Sequence, residues 1–512
     1  TNLRFVTNQQ SRICIFLTSI IHQSAFSTMK QQIVILLWVL YGVAIIGVDN
    51  IISSIDISGL PLVEQFWIPT IPFLLLIVAP VLYRYILYQY CGCCEKSASA
   101  SATSTGTATA TATTLTEPLL NENAEAGENH HSLPHPPSRR MRYPFLDNVK
   151  VFLTAIVVCH HISIAFKYNS VSFETIIIVP NQQKIPFFSW MLQAFTTLNQ
   201  GYFMPLFFFI SAFFVPSSYA KGREKFLRGK WKRILLPALF VTFTIYPISQ
   251  LSSIYYVYGS WIWMWWPSQD QAWFLYWLLI LNWVYMSIIE STDTTTNSTT
   301  GAAEDVLQEE EARKMPFPST WTRLFYGVTL CGIVLDFFRS INRGSFATMP
   351  TAIGSWTADF LMFYAGILAK KHGWLEKDLA EQLDIPLSIF FPLVVIEGIL
   401  VVFLPNPISN GAYCVDMSLA VLIIFQRWFN YETKLSKILA RSAYCVYLIH
   451  TIILLVTTII YLELYRVVFG SGEETEVGRI VGGFIFVLVS THGIVWPLSY
   501  ALTRLPILRD II

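Results

Sequence analysis

Apolar segments long enough to cross a lipid bilayer recur about twelve times along this 512-residue chain. A transmembrane helix needs about 20 mostly apolar residues, and such segments fall near 31–48, 66–88, 145–166, 192–215, 234–252, 272–290, 321–338, 353–370, 385–404, 411–428, 442–463 and 480–503. Only 13% of the residues are charged, about half the fraction found in soluble domains. The sequence therefore predicts an all-α, polytopic membrane protein with about twelve transmembrane helices, and it excludes a soluble or disordered chain.

Two polar stretches divide these segments. Residues 95–138 contain a Ser/Ala/Thr tract that has no apolar stripe to bury, and residues 291–318 are Thr-rich and then acidic. The predicted organisation is a candidate upstream or non-native segment at 1–28, two N-terminal transmembrane helices within 29–90, a flexible cytoplasmic linker at 91–141, a ten-helix core at 142–506 with a flexible loop at 291–318, and a C-terminal tail at 507–512.

Lys and Arg are distributed unevenly between the loops, which predicts the orientation in the membrane. The loop after the fourth span carries Lys221, Arg223, Lys225, Arg228, Lys230, Lys232 and Arg233. With this loop in the cytoplasm, the alternating spans place 21 Lys and Arg on the cytoplasmic side and 6 on the other. Both termini are then cytoplasmic, and the choice between the plasma membrane and an endomembrane stays open. The basic loop is either a phosphate-binding surface for a cytosolic donor or a topology signal alone.

Other composition features exclude some partners. The formal net charge is +1, so no global field attracts nucleic acid. Cys91, Cys93 and Cys94 follow an apolar segment, which is typical of juxtamembrane palmitoylation, although three unmodified thiols fit equally well. No Cys or His pair stands near them at ligand spacing, and we expect no metal.

The segment Arg142–Phe166 holds the most informative polar residues. Lys150 and His161 are eleven positions apart, a rise of about 16 Å over about three turns, so both lie on one helix face with Asp147. His160 points about a quarter-turn away. A histidine at mid-membrane depth usually faces a cavity or a partner and can accept a proton near neutral pH. A cation at the mouth with a base below it suits a substrate with an anionic head and a reactive tail; the alternative is a histidine satisfied by a neighbouring helix.

Polar groups at similar depth occur on other spans. His450 follows Tyr444 and Tyr447 at three-residue spacing in the eleventh span, and His492 lies midway along the last span. The tyrosines are either site residues or packing residues. In the fourth span, Ser211 is a small residue among phenylalanines, where a helix or a ligand can approach closely.

In order and spacing, these segments resemble the acyltransferase 3 family of integral membrane acyltransferases, which includes O-antigen acetylases and glucan succinyltransferase-like proteins. The family's first core helix carries Lys or Arg, ten residues and then His, and Lys150 and His161 match this pattern. Further matches are Phe208, Phe209 and Ser211 of an FFxxSGF-like motif, Arg228 and Arg233 ahead of Pro237, a W-F-L segment at Trp273, Phe274 and Leu275, and Tyr444, Tyr447, Leu448 and His450 of a YxxYLxH-like motif. The resemblance covers about 142–506. Lys150 replaces the commoner Arg, and Ala212 replaces the usual Gly.

The resemblance implies acyl transfer from a cytosolic acyl-CoA, often acetyl-CoA, to a hydroxyl, typically on a carbohydrate, within the lipid bilayer. It implies that His161 is a general base or a transient acyl carrier, with His160 and Lys150 in the catalytic set. The residues implied in binding CoA are Lys150, Ser211, Arg228, Lys232 and Arg233, and those implied in lining the acceptor or acyl tunnel are Tyr447, His450, Trp273 and Asp147.

Two other functions are weighed against this one. Twelve spans with intramembrane His, Asp and Glu suit a proton-coupled multi-pass transporter, but the halves of the chain show no evident repeat and the linker follows the second span rather than the sixth. A non-catalytic scaffold or receptor predicts that no single histidine matters. Substitution of Lys150 would distinguish the acyltransferase from the transporter. A carrier whose substrate never touches CoA should keep its activity without Lys150.

Overall fold

Helices make up almost all of the structure, a computed structural model that describes residues 142–167, 185–258, 269–296, 315–329, 345–346, 349–350, 356–469 and 476–506. The helices are α1 (Pro144–Lys167), α2 (Pro186–Phe213), α3 (Val215–Tyr219), α4 (Arg223–Lys230), α5 (Leu236–Phe240), α6 (Tyr246–Tyr258), α7 (Trp273–Thr296), α8 (Thr320–Tyr326), α9 (Trp356–Lys371), α10 (Leu387–Phe403), α11 (Pro407–Trp428), α12 (Lys434–Phe469) and α13 (Glu476–Leu502). Two-residue strands β1 (Ser345–Phe346) and β2 (Met349–Pro350) pair antiparallel. All of these helices belong to one compact unit of the chain.

The helices coincide with most of the spans predicted for the ten-helix core. Within the described residues, six helical segments are long and apolar enough to cross a membrane, and two shorter apolar helices lie at Trp273–Ile289 and Leu387–Phe403. The span predicted at 321–338 is described only as far as residue 329. The spans predicted at 31–48 and 66–88 lie outside the described residues, as do the linker, the Cys91–Cys94 cluster and the tail. An integral, all-α membrane protein follows, whereas the count of twelve spans and the orientation stay predictions.

Proline and polar caps set several helix boundaries. Pro186 lies in the first turn of α2, where a missing backbone N–H costs nothing. Asn406 and Ser409 form a reciprocal capping box at the start of α11, which satisfies two backbone donors that the helix leaves open. Gly222 separates α3 from α4 with a φ of 101°, a conformation that residues with a Cβ rarely adopt.

The helix that begins at Arg223 is not regularly α-helical. Two π-helical turns, Trp231–Leu235 and Val241–Ile245, flank the short α5. Such turns are rare and often occur at functional sites. The first of them carries Arg233, and the second carries Thr242, whose hydroxyl lies 2.9 Å from the Tyr276 hydroxyl on α7.

Helix α1 occupies a central position, packed against α2, α11, α12 and α13. Its face around Val158 and Ile162 joins an apolar core with α12 and α13. On the other side of α2, the backbones of α2 and α9 approach closely, because a Cβ at Gly366 would clash with the Phe209 carbonyl oxygen and lie 2.9 Å from the Ala212 Cβ. A second helix therefore approaches the fourth span closely at Ala212, next to Ser211, and the glycine at this contact belongs to α9.

A buried ion pair joins α8 to α11. Arg323 and Asp416 are 4% and 1% exposed, and the Arg323 Nε donates to the Asp416 Oδ1 at 3.1 Å. The Thr320 amide and hydroxyl both donate to Asp384, in the loop before α10. Partial burial raises the pKa of Asp384, but these hydrogen bonds and the nearby charge of Arg323 outweigh it and hold the pKa below its usual value. Asp416 thus has an assigned partner, which the sequence alone does not provide.

Candidate functional site

A cavity of about 940 Å³ opens among α1, α2, α7, α12, α13 and the π-helical turn at Trp231–Leu235. Its lining residues are Lys150, Thr154, Met204, Phe207, Ile210, Ser211, Arg233, Ile234, Phe274, Leu275, Leu278, Ala440, Arg441, Ala443, Tyr444, Tyr447, Tyr500, Thr503 and Arg504. A volume of this size accommodates a drug-sized or cofactor-sized ligand. The cavity therefore brings together side chains from segments that are up to about 350 positions apart in the sequence.

Four cations line one end of this cavity: Lys150, Arg233, Arg441 and Arg504. Lys150 is half-buried and shares its charge with Asp147, 3.2 Å away. The three arginines are exposed, and none of them has a carboxylate within ion-pair distance among the described residues. This basic end therefore carries an excess of positive charge and favours a ligand with several negative charges.

Backbone and aromatic contacts hold the basic end in place. The Tyr444 hydroxyl donates to the Arg233 carbonyl oxygen at 2.6 Å, which ties α12 to the π-helical turn. The Lys150 Nζ lies 4.8 Å from the ring centroid of Phe214, and the Arg504 guanidinium lies 4.8 Å from the ring centroid of Tyr500. Two of the four cations are thus positioned by cation–π contacts.

The inner part of the cavity is apolar. Met204, Phe207 and Phe274 line it, and the rings of Phe274 and Tyr447 pack edge to face with centroids 6.0 Å apart. The Tyr447 hydroxyl donates to the Gln271 carbonyl oxygen, so this hydroxyl is satisfied by the protein and the ring presents an apolar surface. A ligand held here has its charged part at the basic end and an apolar or small part inside.

Two histidines meet beyond the lining residues, one turn past Tyr447 on α12 and two turns past Thr154 on α1. The rings of His161 on α1 and His450 on α12 lie 5.0 Å apart between centroids. The His450 Nδ1 lies 2.7 Å from the Tyr447 carbonyl oxygen. Because a carbonyl oxygen only accepts, the proton of neutral His450 lies on Nδ1, which makes Nε2 the basic nitrogen.

His160 and His161 face different helices. The His160 ring packs against Phe203 of α2 at a centroid distance of 5.2 Å and is buried, whereas His161 faces His450. The two rings are nearly perpendicular, at 81°. Of the predicted pair, His161 is the one that faces His450, which lies one turn beyond the cavity-lining Tyr447.

Two series of residues connect the basic end to the histidines. On α12, Arg441, Tyr444, Tyr447 and His450 follow one another at three-residue intervals, and the first three line the cavity. On α1, Lys150 and Thr154 line the cavity and His161 follows two turns later. The two helices pack against each other, and both series lead from the cavity lining to the two histidines.

The other predicted site residues are divided between the cavity and the surface. Ser211 and Arg233 line the cavity, and Asp147 pairs with Lys150 at its mouth. Arg228 is 71% exposed and pairs with Glu224 at 3.0 Å.

Lys232 is exposed, and Trp273 is half-buried just before the cavity-lining Phe274. His492 lies elsewhere, with its Nδ1 accepting from the Trp496 indole at 3.2 Å and its Nε2 3.3 Å from the Cys159 sulfur. The predicted basic run thus contributes one residue to the cavity rather than three.

Sequence reasoning did not identify Arg441, Arg504 and Tyr500 as site residues. Arg441 lies two turns into α12, and Arg504 follows the end of α13, so each lies at the same end of the bundle as Lys150. Both residues adjoin loops that the sequence predicts on the same side of the membrane as the loop before Lys150, and this shared side could have indicated them. What the sequence could not show is that α12 and α13 both border α1 at that end.

The chain matches the acyltransferase domain of the acyltransferase 3 family over residues 143–499. No curated protein matches the chain, and no solved structure matches it. The family match covers well over half of the 512 residues and includes most of the residues that line the cavity. It does not favour the transporter alternative.

Proposed function

The chain belongs to the acyltransferase 3 family, and we propose that it moves an acyl group, acetyl in the first instance, from cytosolic acyl-CoA to a hydroxyl of a carbohydrate or other acceptor. The observation that carries this proposal is a cavity lined by four cations, with a pair of facing histidines just beyond its lining on two of the same helices. A CoA thioester has the matching polarity, because its phosphates are at one end and its reactive carbonyl is at the other.

The phosphates would lie at the basic end. Arg233 and Arg441 present guanidinium groups that can bind a phosphate through two parallel hydrogen bonds, and Lys150 acts as a point charge. The pantetheine arm is uncharged and flexible, and it fits the apolar wall around Phe207, Phe274 and Tyr447. Between Lys150 and His161 the helix rises about 16 Å, a length comparable to that of an extended pantetheine arm.

His161 would carry the proton transfer. As a general base it takes the proton of the acceptor hydroxyl while the hydroxyl oxygen attacks the thioester carbonyl carbon. The new C–O bond replaces the C–S bond, and the imidazolium returns the proton to the departing CoA thiolate. Alternatively, His161 accepts the acyl group first as a transient carrier and passes it to the hydroxyl. In both cases His450, 5.0 Å from His161 between ring centroids, would help to orient the His161 ring.

The test is acyl transfer by membranes that contain the wild-type chain or His161→Ala. With acetyl-labelled acetyl-CoA, we expect wild-type membranes to release CoA and to label an acceptor. His161→Ala should lower this rate at least about 100-fold, which is the usual size of a general base contribution. Labelled protein in the wild type alone would indicate the acyl-carrier route.

His372→Ala is the matched control, because His372 lies in the loop after α9 and does not line the cavity. It should leave CoA release unchanged at equal expression. Equal CoA release by wild-type and His161→Ala membranes would remove His161 from the mechanism. No release with acetyl-CoA or longer acyl-CoAs would contradict the proposed donor class.

A further inference from the structure

The last helix contributes a wall of the cavity that no motif of the chain predicts. Tyr500, in the last turn of α13, and Arg504, just beyond its end, both line the cavity. The Arg504 guanidinium lies over the Tyr500 ring with 4.8 Å between the Arg504 Cζ and the ring centroid, and it donates to the Tyr500 hydroxyl. The pair therefore presents an aromatic ring and a guanidinium charge together at the basic end of the cavity.

We propose that Tyr500 and Arg504 bind the adenine nucleotide part of the donor, with the base stacked on the pair and its 3′-phosphate against Arg504. This inference rests on the proposed function and adds residues that recognise a part of CoA remote from the reacting bond. Purine rings stack on tyrosine rings and on arginine guanidinium planes in many nucleotide sites. A guanidinium that is already stacked loses little freedom when a base or a phosphate binds to it.

The charges around the pair assign it to the nucleotide rather than to the pantetheine end. Arg233 and Arg441 line the same cavity, whereas the apolar wall with Phe207 and Phe274 leads away from the cations. Within the described part of the chain, Arg504 has no carboxylate partner, so its charge is available to a ligand. The nucleotide is the only part of an acyl-CoA that combines a flat aromatic ring with phosphates.

The experiment measures binding separately from catalysis. Adenosine 3′,5′-bisphosphate, which keeps the base, the ribose, the 3′-phosphate and the first 5′-phosphate of CoA, is titrated against the purified full-length chain, and its Kd is obtained from the shift in thermal unfolding. We expect Arg504→Gln and Tyr500→Ala to raise this Kd at least about tenfold. Tyr500→Phe should retain binding within about twofold, because it keeps the ring. Inorganic pyrophosphate should bind more weakly than the bisphosphate.

The control is Arg466→Gln, an arginine near the far end of α12 that does not line the cavity. It should bind adenosine 3′,5′-bisphosphate as the wild type does. An unchanged Kd for Arg504→Gln would overturn the inference, and so would pyrophosphate binding as tight as that of the bisphosphate, since the base would then contribute nothing. A ligand-free Tm equal to that of the wild type shows that each variant is folded.

Kinetics then separate this inference from the proposed function. Arg504→Gln should raise KM for acetyl-CoA about tenfold and leave KM for acetyl-pantetheine, which lacks the nucleotide, unchanged. An equal rise for both thioesters would overturn the nucleotide assignment while leaving acyl transfer intact. Binding of the bisphosphate that depends on Arg504, without any acyl transfer by the wild type, would instead reject the proposed function and keep the nucleotide site.

Discussion

Lys150 is held at the mouth of the cavity by two neighbours. Asp147 lies 3.2 Å from its ammonium and the Phe214 ring lies below it. These contacts fix a point charge where a phosphate would approach. An ammonium is compact and strongly hydrated, whereas a guanidinium can form two parallel bonds to a phosphate. The choice of lysine therefore makes this position sensitive to ionic strength.

We predict that Lys150→Gln raises KM for acetyl-CoA about tenfold, because it removes one phosphate contact worth about 1.4 kcal/mol. Lys150→Arg should retain a KM near that of the wild type. The measurement is KM and kcat in membranes at low and at physiological salt. A fall in kcat with an unchanged KM in Lys150→Gln would contradict a role in donor binding.

The basic residues after the fourth span point in directions that the sequence does not determine. Arg228, Lys232 and Arg233 lie within six positions of one another and share the same charge, yet only Arg233 lines the cavity. Lys232 and Arg233 lie in the π-helical turn that begins at Trp231, and no sequence pattern predicted that turn. In contrast, the shared face of Lys150 and His161 follows from helical spacing alone, and the structure places both along one side of α1 as predicted.

At the level of helices, the backbones of α2 and α9 approach each other closely at Gly366. Gly366 permits it, since a side chain there would meet the Phe209 carbonyl oxygen and the Ala212 Cβ. Ser211, next to Ala212, lines the cavity. The position of α9 therefore affects the wall of the cavity although no side chain of α9 lines it.

We predict that Gly366→Val separates α9 from α2 and lowers stability by about 1–3 kcal/mol, the usual cost of overpacking a close contact. The readout is the Tm of the purified chain. Gly229→Val is the control for the change in residue type, because a Cβ at Gly229 meets no atom within 4 Å. An unchanged Tm in Gly366→Val would mean that the two helices can separate without loss of packing.

The spans were predictable because apolar runs of bilayer length need no tertiary information. The ends of the helices were harder to predict. Helix α2 begins at Pro186 and α12 extends from Lys434 to Phe469, so both helices continue beyond the apolar runs that predicted them. Helices that continue past the hydrocarbon core carry polar residues there, and hydropathy alone does not show where those turns stop.

For the molecule as a whole, Arg323 joins parts that are distant in sequence. It pairs with Asp416 on α11 and donates to the Pro318 carbonyl oxygen at 3.0 Å, while Thr320 connects the same turn to Asp384. The sequence alone could not pair Arg323 with Asp416, because the two residues are 93 positions apart.

We predict that Arg323→Met destabilises the chain by about 3–5 kcal/mol, because it leaves the carboxylate of Asp416 buried without its partner. The double variant Arg323→Met with Asp416→Leu should recover much of this loss, since both charges are then removed. Yield and Tm of the purified variants provide the measurement. A double variant no more stable than Arg323→Met would show that the pair is not the source of the effect.

The two π-helical turns make the direction of later side chains depend on the exact number of residues in the helix. Each turn encloses one residue more than an α-helical turn, so losing a single residue from it would rotate every later side chain of that helix by roughly 100°. A one-residue gap near Trp231 would therefore change which basic side chain faces the cavity while conserving the composition of the run. Between relatives, an insertion or deletion at this place would alter the site more than most substitutions.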